Sequence, residues 1–467
     1  LVVAEHRARP TVIWALVVAM VLLAGHAQTA YYALLGAAAY ILWLGWQVQT
    51  GRARVVAWAW AVCGVGLGGG LAAAQLLPTL EFLSRSDRAA GLDYDWTANF
   101  SYSVARALTL LSPNLFGTPA DGTYLTEGAY FEDAAYIGLL PLVGAAFAVV
   151  ARLRKRGVAG RPAAIDSVPF WLGMAGVAFL IALGKNGPVF PLLYRYVPTF
   201  QSFQGPVRWL IWAVFALSML GGVGVSYGWQ KGKWTIFWSR LVAAGGAGMA
   251  AVAWLVAPRI LPADMPALPV MISGLATSGL FISGCALLTL WQPAERDGRW
   301  HRWWQGIVLA FVAFDLFWAF RGLNPTIPAA FFRPDVVEHE SAALYMTAET
   351  EDRLKFEEFF PLNDYRVAVD RWPELRVSLL PNLNMLDRIS MVNNFDPLVL
   401  QSYTDAVAVL ERSLPSGATV VEVADPPRQV PFGREAFLLG AVLSGSSMLL
   451  GIGLYTGVFS RFSKLAN

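Results

Sequence analysis

Charged residues are scarce in this chain. Asp, Glu, Lys and Arg make up 14% of its 467 residues, whereas a soluble globular protein carries about 25%. Hydrophobic residues make up 56% of the sequence. This balance excludes an ordinary soluble domain, and it predicts a protein that places most of its length in a membrane.

Cysteine is nearly absent as well. Cys63 and Cys285 both lie inside apolar runs, which excludes a disulfide framework and a zinc site built from paired cysteines. The sequence also has no P-loop, no nucleophile-elbow glycine pattern and no nucleic-acid-binding signature. Soluble enzymes and nucleic-acid-binding proteins therefore receive no support.

Long apolar runs dominate what is present. A helix that spans the hydrocarbon core needs about twenty such residues. Ten runs qualify as predicted spans: Thr11–Gly25, Thr29–Trp46, Val55–Leu77, Tyr136–Leu153, Val168–Leu183, Val207–Tyr227, Ile236–Ala257, Val270–Trp291, Trp304–Phe320 and Ala436–Phe459. The chain begins at Leu1 rather than Met and reaches the first run almost at once, so we expect an N-terminal part of the gene product to be missing.

Basic residues cluster in alternate loops between these runs. The six clusters are Arg7 with Arg9, Arg52 with Arg54, the group Arg152, Arg154, Lys155, Arg156 and Arg161, the group Lys231, Lys233 and Arg240, the group Arg296, Arg299 and Arg302, and Arg461 with Lys464. Positive loops stay in the cytoplasm, so we predict that both termini of this chain are cytoplasmic. Five segments are then extracytoplasmic: the turn at His26, Pro78–Ala135, Gly184–Pro206, Pro258–Pro269 and Arg321–Arg434.

These patterns predict an α-helical polytopic membrane protein of about ten transmembrane helices with a small extracytoplasmic α+β module. Residues 1–320 form a transmembrane domain with external loops 78–135 and 184–206, residues 321–434 form the module, and residues 435–467 form a last helix and a cytoplasmic tail. Within the module, alternation predicts strands at Tyr365–Val369, Leu375–Leu379 and Ala418–Val423. Helical spacing predicts a helix over Pro397–Leu414, and an interfacial amphipathic helix is expected over Ser101–Ser112.

Polar residues at the external ends of the first three spans are candidates for chemistry. His26 can act as an acid or base near neutral pH, with Gln28 beside it as a binding residue, or the two can only form a polar turn. Leu77-Pro78 is expected to break the third helix. Beyond that break, Glu81 can serve as a base while Arg85 and Arg88 bind phosphate, or Glu81 and Arg85 can form a local ion pair.

Acidic residues of the next loop suggest two further roles. Asp93 and Asp95 have a spacing by which two carboxylates can share a divalent metal ion, although such pairs are also common in loops. Glu132 and Asp133 lie just before the fourth span, where one can act as a base with a raised pKa. Alternatively, they only cap that helix. Tyr136 follows them as a binding residue.

Charges further along the chain complete the candidate set. Lys185 and Arg208 bracket the proline-rich external loop, and Arg208 can bind an anion or extend to the membrane interface. Asp315 lies inside the ninth span. Because intramembrane acids pair with other groups, we expect it to contact Arg321 or Arg208.

A series of short motifs resembles the YfhO family of bacterial membrane proteins, which is placed among GT-C-like glycosyltransferases. The motifs are Gly25-His26-Ala27-Gln28, Gln75-Leu76-Leu77-Pro78, Tyr136-Ile137-Gly138-Leu139-Leu140-Pro141, Phe203-Gln204-Gly205-Pro206-Val207-Arg208, Asp315-Leu316, Asn324-Pro325-Thr326-Ile327-Pro328, Leu380-Pro381-Asn382-Leu383-Asn384-Met385 and Phe395-Asp396-Pro397-Leu398. Their order and spacing extend over almost the whole chain.

The resemblance implies an enzyme of the bacterial inner membrane that moves sugar from a polyprenyl-phosphate carrier to a cell-envelope acceptor on the external face. It also implies that the main catalytic acid lies in an external loop near the N-terminus of the full protein, which would leave the residues present here as binders of donor and acceptor. Two alternatives remain open at this point. One is a flippase or transporter for the same lipids, and the other is a non-catalytic subunit that docks on another membrane protein.

Overall fold

The computed structural model describes residues 8–47, 51–126, 128–154, 163–228, 233–260, 268–293, 298–333, 343–393, 399–424, 426–427 and 434–456. Several residues used in the sequence predictions lie outside these ranges. They are Arg7, Lys155, Arg156, Arg161, Lys231, Arg296, Phe395, Asp396, Pro397, Leu398, Arg461 and Lys464.

Helices make up nearly all of the regular structure. The longer ones are α1 (Ala8–Leu23), α2 (Ala27–Trp46), α3 (Gly51–Leu71), α4 (Ala73–Ser84), α5 (Leu139–Arg154), α6 (Val168–Ala182), α7 (Val189–Tyr196), α8 (Leu210–Val223), α9 (Lys233–Leu255), α10 (Leu268–Trp291), α11 (Arg299–Phe320), α12 (Gln401–Ser413) and α13 (Arg434–Thr456).

Shorter elements connect the longer helices. The short α-helices are Tyr94–Thr97, Tyr130–Asp133, Ala163–Asp166, Ala257–Ile260, Ala348–Asp352, Arg366–Asp370 and Trp372–Val377. The 3-10 helices are Val104–Leu110, Gly184–Asn186, Pro198–Gln201, Pro206–Trp209, Ala329–Phe332 and Leu383–Asp387. Two π-helical turns cover Gly224–Gly228 and Arg353–Phe359. Strands β1 (Ala343–Met346) and β2 (Val420–Val423) pair antiparallel, with Ala343 opposite Val423.

Seven helical segments are long and apolar enough to cross a membrane. They are Gly51–Leu71, Ala163–Ala182, Pro206–Tyr227, Thr235–Ile260, Leu268–Trp291, Arg299–Phe320 and Glu435–Ile452. Large hydrophobic side chains on several of these segments are exposed; Val62 and Leu309, for example, are each 71% exposed. Exposed apolar faces of this extent are expected where a helix contacts lipid. The architecture is that of an α-helical multi-pass membrane protein.

Each of the ten predicted spans contains a helix in the structure. Three of them fall outside the seven segments above: α1, α2 and α5. A total of ten spans therefore stays a prediction, as does the orientation of the termini. The expected break at Leu77-Pro78 is wrong. Pro78 lies inside α4, and the helix is interrupted earlier, at Ala72 between α3 and α4.

The chain divides into two compact units. The first comprises Leu1–Leu92, Asp396–Leu414 and Pro426–Asn467, and the second comprises Asp93–Phe395 and Pro415–Asp425. The predicted module 321–434 thus contributes α12 to the first unit and the two strands to the second.

In the first unit, small residues let helices approach closely. A Cβ atom on Gly68 of α3 would lie 2.7 Å from the carbonyl oxygen of Ala15 in α1, so this approach requires glycine. The Trp14 indole donates to the Ala61 carbonyl at 3.1 Å. A Cβ atom on Gly64 would likewise lie 3.2 Å from the carbonyl oxygen of Thr11. A step of four residues along α3 thus matches a step of four residues along α1, so the two helices run parallel.

In the second unit, α5, α10 and α11 enclose one hydrophobic core. Its buried side chains include Leu139 and Leu140 from α5, Phe281 from α10 and Val308 from α11. A separate cluster lies outside the spans, where Met346 of β1 packs with Phe331 and Phe359. The two-stranded sheet borders that cluster.

Two strand predictions in this region are wrong. Tyr365–Val369 contributes to the helix Arg366–Asp370, and Leu375–Leu379 overlaps the helix Trp372–Val377. In the first case the Asp364 carboxylate accepts from the Arg366 amide at 3.0 Å, which favours a turn over an extended strand. The strand predicted at Ala418–Val423 is confirmed as β2, and α12 confirms the helix predicted over Pro397–Leu414 within the described residues.

Candidate functional site

His26 is the N-cap of α2. Its Nδ1 accepts from the Thr29 amide at 3.1 Å and lies 2.9 Å from the Thr29 hydroxyl, while the side chain is exposed. A capping side chain satisfies one of the amide groups that have no partner within the helix. The structure thus gives His26 a local role, and its catalytic role stays a prediction.

The remaining candidates of the first unit lie on α2 and α4. Gln28 is buried and donates to the Tyr32 hydroxyl at 2.7 Å. Glu81 and Arg85 form the predicted i,i+4 ion pair at 2.9 Å, with the Arg85 side chain 65% exposed. Exposed pairs of this kind contribute little stability. Arg88 follows, and its backbone amide donates to the Ser86 hydroxyl at 3.3 Å.

These five residues lie in two stretches of the first unit: His26 and Gln28 at the start of α2, and Glu81, Arg85 and Arg88 at or beyond the C-terminal end of α4. Because α1 and α3 run parallel, the turn at His26 and the start of α4 lie at the same end of that helix pair. The remaining predicted residues, from Asp93 to Arg208, belong to the second unit. The candidates therefore form two groups.

The second group contains a bidentate ion pair. The Arg208 guanidinium donates to the Glu132 carboxylate through Nε at 2.9 Å to each oxygen and through Nη2 at 2.5 Å. Glu132 is 11% exposed and Arg208 is 31% exposed. Two predicted site residues that are 76 positions apart in sequence are thus brought into direct contact.

Backbone geometry places Arg208 for this contact. Gly205 precedes the 3-10 helix Pro206–Trp209 with φ +78°, a left-handed conformation that glycine adopts without strain. A Cβ atom there would lie 3.3 Å from the Arg208 Nε. The Gly205 and Val207 amides donate to Thr97 and Phe100 carbonyls at 3.1 and 3.2 Å. This loop is therefore anchored to the segment that follows Asp93.

Asp133 forms a second ion pair, with a partner that the sequence did not indicate. Its carboxylate lies 3.0 Å from the Arg106 guanidinium, and both side chains are less than 10% exposed. Arg106 also donates to the hydroxyls of Tyr124 and Thr126. The pair is therefore surrounded by hydroxyl groups, as buried charges require.

Burial raises the pKa of the Asp133 carboxyl to about 6, while the Arg106 charge and the Tyr124 hydroxyl lower it. Burial also raises the pKa of the neighbouring Tyr124 and Tyr130 hydroxyls. The Tyr130 hydroxyl donates to the Asn114 side-chain oxygen at 3.1 Å. Of the two acids, Asp133 is the one whose burial raises its pKa, and its role as a base stays a prediction.

Tyr136 binds the intramembrane acid. Its hydroxyl donates to one oxygen of Asp315 at 2.7 Å, and the Leu139 amide donates to the other at 2.8 Å. The expected pairing of Asp315 with Arg208 or Arg321 is therefore wrong. Arg208 is held by Glu132, and the Arg321 guanidinium lies over the Trp318 ring, 3.4 Å from its centre.

A cavity of about 480 Å³ opens at this point. Its lining residues are Pro113, Asn114, Thr118, Ala120, Asp121, Tyr136, Pro269, Val270, Ser273, Gly274, Thr277, Ser278, Phe281, Asp315, Trp318, Ala319, Arg321 and Gly322. The lining combines hydroxyls from one face of α10, two carboxylates, one guanidinium and aromatic rings. Its volume falls within the range of about 300–1,000 Å³ found for small-molecule sites.

The other predicted residues of the second unit lie outside this cavity lining. Lys185 is exposed, and its backbone amide donates to the Ser101 hydroxyl at 2.9 Å. Asp93 caps the short helix Tyr94–Thr97 by accepting from the Trp96 amide at 2.9 Å, and Asp95 lies in its first turn. Within the described ranges, no group of three or more His, Cys, Asp or Glu residues is placed to hold a metal ion.

Sequence reasoning missed Arg106, Asp121 and the hydroxyl face of α10. The predicted amphipathic helix over Ser101–Ser112 is a 3-10 helix at Val104–Leu110, and its apolar Val104 and Leu108 are exposed while Arg106 is buried. An apolar exterior with a polar interior is expected of a segment that faces lipid. The burial of Arg106 follows from tertiary packing, so no sign of it was present in the sequence.

No protein-family model, no curated protein and no solved structure matches this chain. The family resemblance of the motifs therefore remains an expectation from the sequence.

Proposed function

We propose that this protein is a glycosyltransferase-like membrane enzyme that takes sugar from a polyprenyl-phosphate carrier and transfers it to a cell-envelope acceptor. The proposal depends on the cavity lined by Tyr136 and Asp315. Serine and threonine hydroxyls, carboxylates and a tryptophan ring together suit a sugar, since hydroxyl groups need paired donors and acceptors in a desolvated site.

The position of the cavity along the helices supports an extracytoplasmic site. It lies beside the N-terminal end of α5 and the C-terminal end of α11, where Leu139 meets Asp315. Basic residues occupy the opposite ends of the same helices: Arg152 and Arg154 on α5, and Arg299 and Arg302 on α11. Because basic ends face the cytoplasm, the cavity would face away from it.

Arg321 is suited to bind the phosphate of the carrier. Its guanidinium is exposed at the cavity and rests on the Trp318 ring, which fixes its orientation. Planar guanidinium groups bind phosphate through paired hydrogen bonds. Among the residues the structure describes, Arg321 forms no ion pair, so its charge is not already neutralised by an acid.

Asp121 is suited to act as the general base. It is exposed and lines the cavity, whereas both oxygens of Asp315 already accept hydrogen bonds. In the transfer, an acceptor hydroxyl attacks the anomeric carbon and gives its proton to Asp121. The bond between that carbon and the phosphate oxygen breaks, and the charge on the departing phosphate is stabilised by Arg321.

Transfer from a lipid-linked donor tests the proposal. The protein would be purified into nanodiscs with polyprenyl-phosphate-linked glucose, mannose or galactose, and loss of sugar from the lipid would be followed. Asp121→Asn is expected to lower turnover by about 100-fold or more, the usual contribution of a general base. The exposed Asp370→Asn is the matched control. Turnover in Asp121→Asn that stays within twofold of wild type contradicts the role of this acid.

Arg321→Ala serves as a second, independent variant. Loss of one phosphate contact is expected to weaken donor binding about 10- to 100-fold, as measured by KM for the lipid-linked sugar, because a charge-assisted hydrogen bond contributes about 1.5–3 kcal/mol. Unchanged KM would exclude phosphate binding at Arg321. If the wild-type protein consumes none of the three donors, the transferase proposal itself fails for those sugars.

A further inference from the structure

A second cavity lies in the other half of the same helices. Its volume is about 560 Å³, and it opens among α5, α9 and α10. Along α10 it is lined from Cys285 to Thr289, whereas the first cavity is lined from Pro269 to Phe281. The two cavities thus occupy opposite halves of this helix.

The lining of this second cavity is polar near Arg154 and apolar near Val143. On α5 it consists of Val143, Phe147, Val150 and Arg154, which share one helix face because they are spaced by four, three and four residues. Arg154 ends that row, about 16 Å from Val143 at 1.5 Å per residue. The other wall includes Thr235, Ser239 and Val242 of α9.

The polar groups gather at one end. Arg154 lies at the C-terminal end of α5, and Thr235 and Ser239 lie in the first two turns of α9. Thr289 lies near the C-terminal end of α10 and donates its hydroxyl proton to the Cys285 carbonyl at 2.9 Å. Arg154 is exposed and lines the same end of the cavity as these hydroxyls. A guanidinium and hydroxyls that line one end of a cavity are suited to an anionic group with several acceptor oxygens, such as a phosphate.

The rim of the cavity consists of side chains that face outward. Trp238 is 54% exposed and Val242 is 42% exposed. Both lie in Thr235–Ile260, one of the helical segments able to cross a membrane. Exposed apolar side chains on such a segment are expected to contact lipid, so we expect this side of the cavity to face the bilayer.

We infer that this cavity holds one anionic phospholipid, with its phosphate at Arg154 and one acyl chain along Val143, Phe147 and Val242. A phospholipid combines the required features: a phosphate, an apolar chain, and access from within one leaflet. The polyprenyl-phosphate donor shares these features, but the site proposed for it is the first cavity, in the other half of α10. The site lies at the ends of α5 and α9 that carry Arg152, Arg154 and Lys233. Basic ends favour the anionic cytoplasmic leaflet.

Lipid retention measured by native mass spectrometry tests this assignment. Detergent-purified protein would be titrated with phosphatidylglycerol and, separately, with zwitterionic phosphatidylethanolamine. Wild type is expected to bind one phosphatidylglycerol at least tenfold more tightly than phosphatidylethanolamine. Arg154→Ala is expected to remove this preference. Arg240→Ala is the matched control, because Arg240 is an exposed cation on α9 that lies outside the cavity lining.

The free thiol of Cys285 provides a second readout. It is buried and lines the cavity, whereas the other cysteine, Cys63, is exposed and can be replaced by serine. In the Cys63→Ser background, added phosphatidylglycerol is expected to slow maleimide labelling of Cys285, and Arg154→Ala is expected to abolish the slowing. Val242→Trp, placed at the exposed rim, is expected to lower lipid occupancy by filling the groove.

Three results would overturn the inference. Equal binding of the two lipids would show that no head-group site exists. Equal losses in Arg154→Ala and Arg240→Ala would show that only general surface charge is involved. Protection of Cys285 by millimolar inorganic phosphate without lipid would assign the cavity to a free anion. None of these measurements depends on sugar transfer, so the lipid site and the transferase proposal succeed or fail separately.

Discussion

Replacing Asp133 by Asn is expected to remove part of the pH dependence of the unfolding free energy. The carboxyl has an ordinary pKa of 3.8, and burial raises the pKa to about 6 in the folded protein. The folded state therefore holds the proton more tightly than the unfolded state. Stability from this group is complete below pH 4 and is lost as the pH rises through 6, and the difference corresponds to about 3 kcal/mol.

Asparagine resembles the protonated acid in shape but does not titrate. Relative to wild type, Asp133→Asn is therefore expected to gain about 3 kcal/mol of unfolding free energy between pH 4 and pH 7. Most of that gain should fall between pH 4 and 6. The measurement is reversible unfolding in mixed detergent micelles at half-unit pH intervals. Asp370→Asn, at an exposed position, is the control and is expected to show no such trend.

The opposite sign would refute the reasoning. If wild type gained stability over Asp133→Asn as the pH rose, attraction to Arg106 at 3.0 Å would outweigh the cost of burial. Arg106→Met then distinguishes the two terms. It leaves Asp133 buried without its charged partner, so a loss of about 3–5 kcal/mol is expected at pH 7.5. The loss should shrink as the pH falls and should begin to do so above pH 6, because the Arg106 charge lowers the pKa of the Asp133 carboxyl in the wild type.

Two smaller predictions follow from single hydrogen bonds. Tyr136→Phe removes the hydroxyl that donates to buried Asp315 and is expected to lower the unfolding free energy by about 1.5–3 kcal/mol. Tyr130→Phe removes a neutral hydrogen bond to Asn114 and should lower it by about 1 kcal/mol. Unfolding titrations of both variants compare them directly, and equal losses would contradict a charge-assisted bond at Asp315. His26→Ala is expected to lower the unfolding free energy by about 1 kcal/mol through loss of the α2 N-cap. His26→Asn should retain most of that free energy, because asparagine also caps helices. If neither variant changes the unfolding free energy, the cap contributes nothing.

The helices were predictable because the membrane imposes one simple rule. Every backbone group in hydrocarbon must be satisfied within its own element, so runs such as Val270–Trp291 form helices whatever their neighbours are. That run is covered by α10 at Leu268–Trp291. The apolarity and length of such a run are local properties, so both can be read from the sequence alone.

Outside the spans, local patterns were weaker guides. Residues 365–369 alternate in polarity like a strand, but an Asp364 side chain close enough to bond the Arg366 amide turns the chain into a helix. Pro373 lies at the start of the helix Trp372–Val377, where proline is favoured. In both cases one side chain, Asp364 or Pro373, favoured a helix more strongly than the alternating polarity of the neighbouring residues favoured a strand.

Pro78 shows that a proline does not always end a helix. Pro78 predicted a break, since proline removes a helical donor. The interruption falls instead at Ala72, and Pro78 lies in the sixth position of the following helix. Pro78 removes one helical hydrogen bond, and the helix nevertheless continues to Ser84. The break falls where α3 ends.

The candidate site was predicted in its parts but not in its pairings. Glu132 and Arg208 were both expected, and they meet in a bidentate contact. Arg106 was not expected, because a lone arginine among apolar residues in a short segment gives no sign of facing inward. Ion pairs across 27 or 76 positions depend on tertiary packing, which residue spacing does not encode.

The short stretch from Tyr130 to Leu139 explains why these pairings occur together. Glu132 and Asp133 are adjacent in one helical turn, so their side chains point about 100° apart and reach different arginines. Tyr136 and the Leu139 amide then hold Asp315 of α11. Within ten residues the chain forms two ion pairs and binds the intramembrane acid. Of this segment, Tyr136 lines the adjacent cavity, and the bonds on either side hold it in place. The proposed sugar site would need such a fixed side chain, because its hydrogen-bonding groups must be in place before the ligand arrives.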